Sequence, residues 1–257
     1  MSTNRVLKKA FGNRVVFPPL TLTEDDAVLD VGTGTACWTL DCNAVYTAPH
    51  YYGIDISQNL FPTLDNPLQS HIHLTQGNIL HLQKGSPWAH RRYTLINQRL
   101  LIAAFSAHEW QNVVRNMYEV LAPGGWVQLV ETSHCRSGPV TERHRRAVLE
   151  RVFEKRRLLV DCAERIPGML RDAGFVDINT EVYEISLGKW AGRDGVEARD
   201  NFIGVYRAMK RPVVDEMGIM SSCEFDSLVD EMRKEWDTTL GSNIVFNVFY
   251  AQKPASI

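Results

Sequence analysis

Between Ala27 and Glu131, short β-rich runs alternate with longer helical or polar segments. No other feature constrains the chain as much, because this rhythm is that of parallel strands joined by crossover helices. The runs predict strands near 28–31, 51–54, 72–75, 93–97 and 126–131. Helices are expected at about 35–45, 58–65 and 108–122, the last capped by Ser106 and stopped before Pro123-Gly124-Gly125. With 257 residues, 44% hydrophobic and 23% charged, the chain has the length and balance of one large α/β domain.

After Glu131 the rhythm changes. "RHRRAVLERVFEKRRLLVDCAER" reads as helical, "IPGMLRDAGF" as a short helix ended by Gly174, and "VDINTEVYEI" alternates like a strand. A helical region over roughly 195–239 precedes a last β-rich run, "NIVFNVFYAQKP". Neither a repeat nor a linker divides the chain, so a single domain over 1–257 is expected, with its alternating α/β core at about 27–131. The helical stretches at about 1–20, 136–165 and 190–240 then cover the sheet.

Several classes of function fall away. Eight basic residues between Arg136 and Arg157 are interleaved with Glu142, Glu150 and Glu154, without an aromatic ladder, and the net charge is -2. That reads as a solvated helix face, with no nucleic-acid partner. No apolar run approaches the roughly 20 residues that span a bilayer, and the first residues lack the apolar centre of a secretory signal. A cytoplasmic protein with no membrane partner is expected. Cys37, Cys42, Cys135, Cys162 and Cys223 contain no CxxC pair, so neither disulfides nor a metal site are expected.

The stretch "VLDVGTGTACWTLDCN" carries a tight glycine turn, Gly32-x-Gly34-x-Ala36, with Asp30 two residues before it. Such a turn lets backbone approach a ligand where a helix N-terminus presents free N–H groups. A carboxylate so close would repel a diphosphate and favour a cationic ligand. Asp55 ends "YYGID", where an acid accepts hydrogen bonds from both ribose hydroxyls, and Asn78 in "TQGNIL" offers an amide to an adenine edge. Taken singly, Asp55 serves as well as a turn residue, while Asn78 is more often a turn former and Ile56 more often core. Asp30, an acid within an apolar strand, needs partners in any case.

In this order and spacing, "VLDVGTGTACWTLD", "YYGIDIS", "GNIL", "YTLINQRLL" and "MYEVLAPGGWVQLVE" resemble the successive motifs of class I S-adenosylmethionine-dependent methyltransferases. "NVFYAQKP" resembles the final strand of that fold, and "GTGTACW", "QRLL" and "LAPGGWVQLVE" are especially similar to fungal enzymes of the group that includes the secondary-metabolism regulator LaeA. The resemblance implies an α/β, Rossmann-like, seven-stranded sheet and S-adenosyl-L-methionine as cofactor. It implies that Gly32 and Gly34 pass under the methionine part and that Asp30 lies near its ammonium. Asp55 would hold the ribose, Ile56 pack on adenine, and Asn78 and Ile79 line its other side; Asn97 and Gln98 would approach the sulfonium. A third glycine is usual where Ala36 stands.

The expected reaction is methyl transfer to oxygen or sulfur of a small-molecule acceptor, a fungal specialised metabolite. A LaeA-like regulatory methyltransferase acting through protein partners and a non-catalytic cofactor-binding scaffold are the alternatives. His134, read as lying just past the fifth strand, is the candidate catalytic base, ahead of His108. Phe17, Trp190, Phe202 and Tyr206 are candidates for pocket lining, although aromatic residues at such spacing are more often core.

Overall fold

The computed structural model describes residues 3–47, 49–82 and 88–255. Residues 1 and 2 of the expected cover lie outside this range. Seven strands form one sheet among the described residues: β1 (Ala27–Val31), β2 (His50–Asp55), β3 (Ile72–Gln76), β4 (Tyr93–Arg99), β5 (Leu121–Arg136), β6 (Val176–Ser186) and β7 (Asn243–Gln252). Their order is β3-β2-β1-β4-β5-β7-β6. β1 to β5 pair in parallel, and β7 runs antiparallel to both β5 and β6. The chain leaves β1 in one direction for β2 and β3 and returns on its other side as β4, creating the switch point where open α/β sheets bind ligands.

The helices are α1 (Thr3–Ala10), α2 (Cys37–Val45), α3 (Ala107–Val120), α4 (Pro139–His144), α5 (Glu150–Arg156), α6 (Cys162–Asp172), α7 (Gly192–Ala208) and α8 (Ser222–Thr238). Strand side chains alternate between the two faces of the sheet. Leu29, Val31, Ile96, Val127, Leu129 and Phe249 pack with α3 and α6. On the opposite face, Val28, Leu95 and Trp126 meet α2 and the segment Val15–Val16. Farther along that face, Val130, Ile244, Phe246 and Val248 meet α1, α5, α7 and α8.

Several local expectations are corrected. No α-helix fills 58–65; only a 3₁₀ turn at Pro67–Gln69 occurs in the β2–β3 connection, where Pro62 and Pro67 interrupt helical hydrogen bonding. The Ser106 cap is present as a capping box with Glu109. The helix it opens, α3, ends at Val120, before Pro123-Gly124-Gly125 as expected, but runs directly into β5, so that this segment lies in the start of a strand. A Cβ on Gly125 would stand 2.9 Å from the carbonyl oxygens of Ala122 and Tyr93, which is why this irregular entry takes glycine. β5 also continues past Glu131 to Arg136, held by β7 on its far side. The helical stretch after it breaks at Arg157, whose φ is +56, and α6 then spans Pro167. Residues 195–239 divide into α7 and α8 around a wide turn at Arg211–Glu216.

Candidate functional site

The turn after β1 is built from alternate left-handed residues: φ is +68 at Gly32, +51 at Gly34 and +54 at Ala36. Glycine adopts this conformation freely, whereas Ala36 carries a cost of roughly 1–2 kcal/mol with its methyl fully buried. Thr33 N donates to Ile54 O at 3.0 Å, fastening the turn to β2. Ala36 caps α2 without a side-chain hydrogen bond, and the first turn of α2 has no acidic residue. Its free N–H groups are therefore left facing the turn, as an N-terminus suited to a ligand would be.

Asp30 lies beneath this turn, 4% exposed. Its Oδ2 accepts from Thr33 Oγ1 at 2.7 Å and Thr39 Oγ1 at 2.8 Å, and its Oδ1 from Asn97 Nδ2 at 2.7 Å. Burial raises its pKa, and the bond from Thr33 is the largest opposing influence. Here Asp30 joins the turn, α2 and β4 into one unit, with both carboxylate oxygens hydrogen-bonded within the protein. The network continues: Gln128 Nε2 donates to Asn97 Oδ1 at 3.0 Å and Val15 O at 3.1 Å, while Gln128 Oε1 accepts from Phe17 N at 2.8 Å. A line of buried polar groups thus runs from the glycine turn to the N-terminal segment.

Asp55 is half-buried at the end of β2. Its Oδ2 accepts from Gly34 N at 3.0 Å and its Oδ1 from Ser57 N at 3.1 Å. Ile56, immediately after it, is 70% exposed, which removes the core reading and leaves an apolar surface beside the carboxylate. Ile79 is the reverse: it is 3% exposed and belongs to the core cluster with Ile54, Trp88 and Trp110, so its side chain supports the site from below. Asn78 makes the turn hydrogen bond from Leu80 N to its Oδ1 at 3.0 Å.

Asn97 and Gln98 are neighbours on β4 and face opposite sides of the sheet, Asn97 toward Asp30 and Gln98 toward Glu131. Both are fully buried. Gln98 Oε1 has no partner among the described residues, a buried acceptor at the strand end. His134 lies within β5, not beyond it, opposite Val245 of β7 and after a register shift. Burial lowers its pKa, with Arg136 contributing in the same direction, and its buried Nε2 has no partner among the described residues.

The N-terminal segment packs tightly over this region. Asp41 of α2 accepts from Asn4 at 2.8 Å and Lys8 at 2.5 Å, Arg99 donates to Asn4 at 2.8 Å, and Trp38 donates to Val15 O at 2.9 Å. The hollow between α1, Trp38, Arg99 and Gln128 measures about 10 Å³, room for one water at most. A wider groove of about 340 Å³ lies between α1, β6 and α7, and none of the expected cofactor residues line it. Phe17 and Phe202 are core residues; Trp190 donates to Leu187 O, and Tyr206 packs edge-on against His144 and Trp236.

Sequence reading passed over Thr33, Thr39, Gln128 and Glu131, which hold this arrangement together. Gln128 and Glu131 carried a usable signal: both are polar within the apolar run "WVQLVE", as Asp30 is within "VLDV", and buried polar groups require partners.

A glycine turn at the β1–β4 switch point, an acid ending β2, and a 3-2-1-4-5-7-6 sheet with β7 reversed define the Rossmann-like class I methyltransferase architecture. A methyltransferase-domain family matches residues 28–125. The chain is 28% identical to the N-methyltransferase sirN of Leptosphaeria maculans, covering 97% of this chain and 89% of that protein. It is 29% identical to the N-methyltransferase tcpN of Claviceps purpurea (strain 20.1), covering 90% and 84%. Among solved structures, a phosphoethanolamine N-methyltransferase 2 of Haemonchus contortus in complex with S-adenosylhomocysteine superposes with a TM-score of 0.55 at 16% identity. That likeness covers 97% of this chain, which spans about half (52%) of the nematode chain. Together these findings support a class I S-adenosylmethionine-dependent methyltransferase. Among the described residues no helix is long and apolar enough to cross a membrane.

Proposed function

We propose that the protein methylates a nitrogen of a small metabolite. The observation that carries this is the similarity to sirN over 97% of the chain, since sirN and tcpN are both N-methyltransferases. It replaces the oxygen or sulfur acceptor expected from sequence. The single-domain organisation and the covering role of the segments at 1–20, 136–165 and 190–240 are part of the same proposal.

The residues suit the cofactor. The free acceptor capacity of Asp55 matches a ribose, exposed Ile56 matches the face of an adenine, and Gly32 and Gly34 leave room for close backbone approach. Asn78 stands at the adenine edge. Gln98 supplies a buried acceptor for an N–H donor, and Asp30 and Asn97 hold the floor of the turn. When bound, S-adenosyl-L-methionine supplies an electrophilic methyl group. The protein's task is then to align the acceptor lone pair with it, which alone can contribute up to roughly 7–11 kcal/mol. A neutral amine presents that lone pair without assistance, whereas an amide-like or indole-like nitrogen must lose a proton. His134, kept neutral by burial and with Nε2 unpartnered, is the group suited to accept it.

The test is a panel of acceptors sharing one apolar frame and differing only in a secondary amine, an indole-type nitrogen, a thiol or a phenol, with product mass and S-adenosylhomocysteine release as readouts. Methylation at nitrogen is expected. If His134 is the base, His134→Ala lowers turnover of the weakly basic nitrogen by roughly 10²–10⁴-fold and spares the amine. Methylation confined to oxygen or sulfur would overturn the proposal. The filled space beneath the N-terminal segment favours one other reading, the non-catalytic scaffold; cofactor binding with no turnover of any acceptor would support it.

A further inference from the structure

Glu131 is fully buried, and its oxygens gather three donors. Oε1 accepts from Gln98 Nε2 at 2.5 Å and Leu101 N at 2.7 Å, and Oε2 accepts from Ile102 N at 3.0 Å. Two of the three are backbone amides of the loop that leaves β4. Leu100 enters this loop at φ +62, a conformation a γ-branched residue keeps only where its surroundings hold it. The loop then lays Leu101 against the glycine turn: a Cβ on Gly32 would stand 3.0 Å from Leu101 Cδ1.

We propose that Glu131 is a positioning residue for the cofactor turn, pinning Leu101 and Ile102 as the wall of Gly32 and making that wall open more readily as pH rises. The inference rests on the cofactor site described above. Burial is the main influence on Glu131, only partly offset by the N–H of Leu101, the amide of Gln98 and the N–H of Ile102, and it pushes the carboxyl up to about 8. From α6 the titratable neighbour is Cys162, whose thiol is raised far above its usual range by burial and by Glu131 itself, so it stays neutral. β4 contributes Gln98, β7 contributes Asn247 in register, and the loop contributes N–H groups; none of these carries charge.

Opening the loop to water returns the carboxyl toward its ordinary value of about 4.3. The closed wall is therefore favoured fully below that value. It weakens by up to about tenfold per pH unit as pH rises, and the loss levels off above about 8.

The test is hydrogen exchange of the cofactor-free full chain between pH 5 and 9, corrected for intrinsic rates. Opening at the Leu101 and Ile102 amides should increase by up to about tenfold per pH unit to pH 8 and then level, with no such slope at the amides of α3. Glu131→Gln should abolish the slope; a wild-type slope in that variant, or a flat wild-type profile, would overturn the proposal. If the variant does not fold, the wild-type profile decides alone. S-adenosylhomocysteine, with binding followed by calorimetry, should protect both amides. Binding without protection would refute the positioning role, whereas absence of binding would refute the cofactor site and leave the exchange slope standing.

Discussion

Gln128→Leu tests whether the buried polar line beneath the glycine turn anchors the N-terminal segment. Leucine fills a similar volume in a fully buried site but pairs with nothing. Phe17 N loses its acceptor and Asn97 Oδ1 loses its donor, while the Val15 carbonyl keeps Trp38 Nε1 at 2.9 Å. Each orphaned buried group costs about 1–3 kcal/mol, so the gross cost is about 2–6 kcal/mol. The added apolar surface returns roughly 1 kcal/mol. A net loss of about 1–5 kcal/mol is expected in urea unfolding, accompanied by faster exchange at the Phe17 amide, because that N–H no longer has a partner. A loss under about 1 kcal/mol with the Phe17 amide still protected would show that Trp38, Val15 and Val16 hold the segment by apolar packing alone.

Other outcomes follow from the same geometry. Asp55→Ala should weaken S-adenosylhomocysteine binding by about 1.5–3 kcal/mol, roughly ten- to hundredfold, with little change in melting temperature, as measured by calorimetry. Ile56→Ser should leave stability within about 0.5 kcal/mol and weaken cofactor binding, whereas Ile79→Ala should cost about 2–5 kcal/mol of stability, because one side chain is exposed and the other is core. His144 is buried with its Nε2 unpartnered among the described residues, and burial lowers its pKa to about 4. The unfolded chain binds this proton more readily, so the neutral ring's contribution is present above pH 6.5 and is lost as pH falls toward 4. The loss amounts to about 3 kcal/mol, and His144→Leu should flatten that limb of a stability–pH curve.

The strand rhythm from Val28 to Glu131 and the glycine turn were legible from the amino-acid order, because period-2 apolar runs and left-handed turn residues are local properties of a chain. The placement of Asp55 at a strand end and of Ser106 at a helix cap followed for the same reason. Local reading failed where partners are distant in sequence. β5 reaches Arg136 only because β7, more than 100 residues later, supplies the hydrogen bonds, and this draws His134 out of a loop and into a strand. Ile56 and Ile79 look alike as residues; one is exposed and the other sealed because Trp88 and Trp110 converge on the second alone. Asp30, Asn97 and Gln128 stand on three strands brought side by side by the parallel register, and Glu131 meets Leu101 and Ile102 only once β4 and β5 are adjacent. Amino-acid order decided which polar residues had to find partners, since burying them unpaired costs more than the fold can spare. Tertiary structure alone decided who those partners are, because hydrogen bonds require atoms within about 3 Å and only folding brings such distant residues together.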